Sequence, residues 1–175
     1  FADRYSFCII NSAKLAKLDK FEIKNLSRNF FNDTYLVDQN ACSSPHLVIW
    51  LGNKSANKRA KEIFWKELSV LVKAKYELSY HASTEKYNLL CSNIIKFNNL
   101  LSNETFDNKL IRVTLKNLSN DNHFIRGKWG LFYEFNVKKL PNIDKSIINT
   151  RYQTLTYYGV DKNKLNNFVI KNSLK

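Results

Sequence analysis

The chain has 175 residues, 44% of them apolar and 14% aromatic, enough for a single domain with a real hydrophobic core. No apolar run approaches the roughly 20 residues needed to cross a bilayer. Three cysteines, an odd number without metal-type spacing, argue against a disulfide framework and for a reducing, cytoplasmic setting.

The formal net charge is +13. Such a balance suits an anionic partner, either nucleic acid or a phosphorylated cofactor. The lysines are scattered, with no block of five or six like charges, so a generally solvated surface is the favoured account. The chain holds no methionine and begins mid-pattern at Phe1-Ala2-Asp3-Arg4. It reads as a piece of a longer polypeptide, so a signal peptide is unobservable rather than absent.

Tyr5 to Ile10 reads as a short buried strand. Lys14 to Thr34 carries apolar residues close to a helical period, from Leu15 and Leu18 to Phe30 and Phe31. A polar turn, Asp38-Gln39-Asn40-Ala41-Cys42-Ser43-Ser44-Pro45-His46, precedes an apolar strand across Leu47 to Leu51. Ser55 is the expected N-cap of a long helix that buries Phe64, Leu68 and Val72 and keeps Lys61 and Lys66 wet. Ser83-Thr84-Glu85 starts another helix, whose apolar positions run on to Leu101. Leu110 to Leu115 alternates as a strand does, Asn117 to Lys128 reads as a loop, and Trp129 to Val137 as an aromatic-rich strand. A short helix is expected from Pro141 through Ile148, a strand from Tyr152 to Tyr158, and a final helix capped by Asp161. Strands interleaved with helices predict an α/β domain with a largely parallel sheet flanked by helices. Residues 1–175 read as one domain.

Cys42 is the residue with the clearest chemical promise. A short turn between a helix and a buried strand exposes a thiol while its flanks fix its position. A thiol in a turn is also often only structural, and the residues alone leave both readings open. Cys8 and Cys91 lie in apolar runs and read as packed small hydrophobes. His46 is close in sequence. If residues 43 to 46 are extended they span about 13 Å, which counts against direct contact with the sulfur.

The order of parts resembles the catalytic lobe of the aldehyde dehydrogenase superfamily: Phe7-Cys8-Ile9-Ile10, a helix, Ala41-Cys42-Ser43-Ser44-Pro45, then an apolar strand. The wording Gln39-Asn40-Ala41-Cys42-Ser43-Ser44-Pro45 is similar to the acylation site of the LuxC-type fatty acyl-CoA reductases. Arg151-Tyr152-Gln153-Thr154-Leu155-Thr156-Tyr157-Tyr158-Gly159 resembles the same branch. Members usually carry Gln where this chain has His46. The family's nucleotide-binding lobe would lie upstream of Phe1, and its last returning segment after Lys175.

The resemblance implies reduction of an acyl thioester to an aldehyde, with Cys42 as nucleophile and NADPH as hydride donor. The acyl donor would be fatty acyl-CoA or an acyl-protein, with an acyl-protein synthetase as a partner. The full-length protein would self-associate through segments this chain lacks, and the fragment alone would not reduce anything. Glu134, followed by Phe135, stands where the superfamily places a carboxylate that binds the nicotinamide ribose, although Glu134-Phe135-Asn136 lacks the usual Gly-Pro. An outward-facing strand glutamate is the other reading of that residue. The alternatives of a different class are a basic nucleic-acid-binding domain and a non-catalytic interaction domain that has kept the fold.

Overall fold

The computed structural model describes residues 4–143 and 151–171. Six strands form one sheet: β1 (Tyr5–Asn11), β2 (Leu47–Leu51), β3 (Leu100–Phe106), β4 (Leu110–Leu115), β5 (Leu131–Val137) and β6 (Tyr152–Tyr158). Their spatial order is β3-β4-β5-β2-β1-β6. Every pairing is parallel except the β3–β4 hairpin. The helices are α1 (Ser12–Leu15), α2 (Lys20–Thr34), α3 (Lys54–Lys75), α4 (Tyr80–Lys96) and α5 (Lys162–Lys171). This is the α/β class that the strand–helix alternation predicts.

The central strands are buried on both faces, so β1 and β2 read as continuous apolar runs rather than alternating ones. Phe7, Ile9, Leu47, Ile49 and Tyr133 face one way, onto Leu90 of α4 and Leu165 and Phe168 of α5. Cys8, Ile10, Val48, Trp50 and Phe132 face the other way, onto Leu15 of α1, Phe30 of α2 and Phe64 of α3. The second layer is largely aromatic. Phe30, Phe64, Trp50 and Trp65 meet edge-on with ring centroids 5.1–6.2 Å apart.

Several boundaries differ from expectation for local reasons. The segment from Lys14 to Thr34 is broken. Asp19 forms a capping box with Glu22, accepting from its N–H while Glu22 accepts from the Asp19 N–H, and α2 starts there. Asn53, not Ser55, caps α3 by accepting from Ala56 N–H at 2.8 Å. Ser79 caps α4 one turn ahead of the expected start. Residues 100–106 form a strand, not the end of a helix. As an edge strand β3 is mostly exposed, so it carries no buried-face pattern to read. The last aromatic-rich strand begins at Leu131, not Trp129. Lys61 is buried rather than wet, and Cys91 is exposed rather than packed. Of the short helix expected from Pro141 through Ile148, residues 140–142 form a 3-10 turn that Ile143 follows, and residues 144–148 lie outside the described residues. Among the described residues no helix is long and apolar enough to cross a membrane.

Candidate active site

Residues 38–46 enter β2 from its amino end. All the parallel strands run the same way, so the cysteine turn lies along the amino edge of the sheet. The turn is held by contacts on every side. Ser6 Oγ donates to the Cys42 carbonyl at 2.6 Å, tying the turn to β1. Ser44 Oγ donates to the Asp33 carbonyl at 2.5 Å, tying it to the end of α2. The His46 N–H donates to Ser6 O, and the Tyr133 N–H donates to His46 O. Within the turn, the Ser44 N–H closes onto Ala41 O at 3.0 Å.

The tightest hold comes from the loop that precedes β5. Gln39 is nearly fully buried and bridges to that loop with both ends of its amide: Oε1 accepts from the Gly130 N–H at 2.8 Å, and Nε2 donates to Leu131 O at 3.2 Å. Asp38, Gln39 and Trp129 all adopt left-handed backbone, with φ of 52°, 58° and 54°. These are three of the four non-glycine residues with positive φ among those described; the fourth, Asp107, is in the β3–β4 turn. Each such residue costs on the order of 1–3 kcal/mol and persists only where its surroundings impose it. Gly130, with φ of 84°, completes the clasp; a Cβ there would lie 2.0 Å from Lys109 O. Strained backbone therefore converges on the segment that carries Cys42.

The Cys42 thiol is exposed, while Cys8 is buried under the sheet and its pKa is pushed up to about 12 by burial. The N–H groups of Cys42 and Ser43 donate to no acceptor among the described residues.

His46 is placed away from a proton-transfer role. Its ring is 6% exposed, stacks on Tyr5 at 5.4 Å, and directs Nδ1 at Gly127 O, 3.1 Å away. Burial lowers its pKa to about 4, with Arg126 adding to the effect. It is a neutral packing residue at pH 7. His123 lies in the 3-10 turn Asn122–Phe124, with Nε2 2.9 Å from Arg151 Nη1. His81 is on the exposed side of α4.

Glu134 is not a surface glutamate: its side chain is buried at the wall of a cleft. Its side chain is 1% exposed in the middle of β5. Lys61 Nζ donates to Oε1 at 2.7 Å and Thr114 Oγ1 donates at 2.8 Å. The Trp50 and Trp65 indole N–H groups both donate to Oε2 at 3.0 Å. Arg112 Nη1 stands 3.5 Å from Oε1 and also pairs with Glu104. Burial alone would raise this carboxyl, but Lys61 and Arg112 outweigh it and hold the group ionised, below its ordinary range. Lys61 and Trp65 converge because they are four apart on one face of α3. Arg112 and Thr114 converge because they are two apart on one face of β4. A nicotinamide ribose at this side chain would have to share a carboxylate to which the chain itself already directs five donors.

The sequence reading missed the 125–130 loop, which it treated as connecting polypeptide and strand start. Its glycines, Gly127 and Gly130, were the available signal. It also missed Gln39 as the strut of the cysteine turn.

The sequence matches no protein family, and no curated protein matches it. Its fold does match solved structures. A NAD-dependent benzaldehyde dehydrogenase from Corynebacterium glutamicum superimposes over 96% of this chain and 37% of its own, with TM-score 0.52 and 9% identity. An aldehyde dehydrogenase from Bartonella henselae matches 95% of this chain and 37% of its own, with TM-score 0.54 and 10% identity. A betaine aldehyde dehydrogenase from Staphylococcus aureus, solved with NAD+, matches 95% of this chain and 35% of its own, with TM-score 0.51 and 15% identity. At these identities the likeness is one of fold. The six-stranded, mostly parallel sheet with its helices is a fold shared with part of each of these proteins. The chain spans a little over a third of the length of these proteins.

Proposed function

We propose that this chain is the thiol-bearing lobe of an oxidoreductase that reduces an acyl thioester to an aldehyde. The observation that carries the proposal is the exposed Cys42 in a turn clasped by strained backbone from two segments. The aldehyde dehydrogenase-type fold supports it, as does the wording of residues 39–45.

In the proposed reaction the Cys42 thiolate attacks the acyl carbonyl carbon and the C=O electron pair moves to oxygen. The N–H groups of Cys42 and Ser43 receive that oxygen. The tetrahedral adduct collapses, the C–S bond to the carrier breaks, and the carrier leaves as a thiolate. The acyl group remains on Cys42. When bound by a lobe outside this chain, NADPH would supply the hydride chemistry; the role of Cys42 is to hold the acyl group as a thioester while it is taken to the aldehyde oxidation level. Breaking the bond to Cys42 Sγ then frees the aldehyde and restores the thiolate. No water is activated, so no general base beside Cys42 is needed. Arg126 and Lys128, on the loop that clasps the turn, favour an anionic acyl carrier, either acyl-CoA or an acyl-protein delivered by an acyl-protein synthetase. Three free thiols suit a reducing cytoplasm. Glu134 has no part in this scheme beyond holding the lobe together.

The test is Cys42→Ala in the full-length protein. NADPH-dependent aldehyde formation from fatty acyl-CoA is expected to disappear, with Cys91→Ala unaffected. Aldehyde formation that survives Cys42→Ala overturns the proposal. The names of the structural neighbours favour one competing reading, oxidation of an aldehyde by NAD, and running the assay in that direction separates the two. A nucleic-acid-binding role has less support. The cations lie on α2, α3 and α5, on both faces of the sheet, rather than interleaved with aromatics on one.

A further inference from the structure

The carboxyl edge of the sheet, opposite Cys42, holds a cleft of about 1030 Å3. The chain leaves β1 through α1 and β2 through α3, and both helices pack on one face of the sheet. It leaves β5 through Leu140 and Ile143 and β6 through α5, all of which pack on the other face. The connections thus part above the ends of four parallel strands. This is the topological switch at which open α/β sheets form a ligand crevice.

The lining has a definite chemical character. Leu51, Leu140, Pro141, Ile143 and Val160 form an apolar floor, and Lys14, Lys138, Lys139 and Lys164 supply four cations. None of these lysines pairs with a carboxylate among the described residues. Three of the polar oxygens in the cleft are already committed to backbone N–H groups. Asn11 accepts from Lys14, Asn142 from Lys139, and Asp161 from Lys164. Gly159, with φ of 70°, lets the β6–α5 turn pass close to the β1–α1 corner; a Cβ there would meet Lys14 Cβ at 3.1 Å. The turn therefore sets the amino end of α5, with its unpaired N–H groups, at the crevice.

A second cleft of about 530 Å3 adjoins the first, sharing Gly52 and Lys138 with it. Lys54 and Lys58 line it, on the first turns of α3, whose first turn holds no acidic residue, and Glu62, Glu104 and Glu134 line it deeper along the strands and helix.

We infer that this carboxyl-edge crevice is a second ligand site, separate from Cys42, for a phosphate-bearing small molecule of mononucleotide size with an apolar body. Lysine ammoniums serve phosphates as point charges, and the floor accepts a ring or chain. The five residues of β2 hold the two edges about 16 Å apart, so a molecule of this size bound in the crevice leaves Cys42 open.

The test uses the fluorescent nucleotide N-methylanthraniloyl-ADP, titrated into the chain, with pyrophosphate and decanoate as competitors. Saturable binding is expected, displaced by pyrophosphate and not by decanoate. Lys138→Ala with Lys164→Ala should weaken it about tenfold, as loss of charge-assisted contacts at an open site predicts. Lys20→Ala with Lys24→Ala, on α2 across the sheet, should leave it unchanged. Alkylation of Cys42 by iodoacetamide should proceed at the same rate with the nucleotide bound. Absence of saturation up to about 1 mM, near the weak limit of specific ligands, overturns the inference. So does equal weakening by both lysine pairs, which is the signature of general attraction to a +13 chain. Displacement by decanoate alone overturns the phosphate assignment, and protection of Cys42 overturns the placement at the carboxyl edge.

Discussion

At the scale of single residues, environment separates side chains of one type into different chemical roles. Cys8 is sealed under the sheet and Cys42 stands in solvent, so brief treatment with limiting iodoacetamide should alkylate Cys42 and leave Cys8 intact. Cys91 is the useful internal control, because it is exposed but sits on a helix with no clasp around it. Faster labelling of Cys42 than of Cys91, read by peptide mass mapping, is expected; equal rates would show that exposure alone governs Cys42. His46 makes a prediction about pH. Its pKa is about 4 in the folded chain, against an ordinary value of 6.5. Between those values the unfolded chain binds the proton and the folded chain does not, so stability falls as pH drops from 6.5 towards 4 and is flat below. The full effect is about 3 kcal/mol. His46→Gln keeps a donor for Gly127 O without the titration. Denaturant unfolding of both proteins at pH 7 and near pH 4 should show the wild-type advantage shrinking and then reversing. A gap that does not change with pH would mean that His46 does not titrate in this way.

At the scale of elements, Glu134 is where three of them are pinned together. α3 contributes Lys61 and Trp65, β4 contributes Arg112 and Thr114, and β2 contributes Trp50. Replacing Glu134 by Gln removes the one fully buried countercharge and leaves Lys61 without an anion. The expected cost is about 3–5 kcal/mol in urea unfolding, the range for breaking one side of a buried pair. Adding Lys61→Met should recover part of that loss, since the uncompensated cation goes with it. A change below about 1 kcal/mol for Glu134→Gln would match an exposed glutamate instead. This hub also shows what the sequence reading could and could not see. The apolar spacing of Phe64, Leu68 and Val72 marked the buried face of α3. Lys61 lies on that same face, but a lysine in a sequence is counted as wet, and its partner is 73 positions away. The same limit applies to the cysteine turn. The turn and the strand after it were legible in Asp38–Leu51. The strut that fixes them was not, because Gln39 acts on Gly130 and Leu131, 91 and 92 positions on. Edge strand β3 was missed for the opposite reason. It contacts too little of the core to leave a pattern.

At the scale of the whole molecule, charge and topology act on different things. The sheet separates two edges, one presenting a thiol and one presenting lysines, and that division follows from strand direction alone. The excess of 28 cations over 15 anions has no such address. The ion pairs among the described residues number three and engage only Glu134 and Glu104. Most surface lysines therefore repel one another without a local anion to offset them, and compaction works against that repulsion. Raising NaCl from about 10 mM to about 100 mM shortens the Debye length from about 30 Å to about 10 Å, comparable to the spacing of neighbouring surface charges. The buried Glu134 cluster is screened far less, because water and ions do not enter it. Salt should thus relieve the surface repulsion while leaving the internal pairs intact. The unfolding midpoint is expected to rise by about 2–4 °C, which corresponds to about 1 kcal/mol for a domain of this size. A midpoint that falls over the same range would mean that screened attractions outweigh the repulsion, and that the positive charge is locally paired after all.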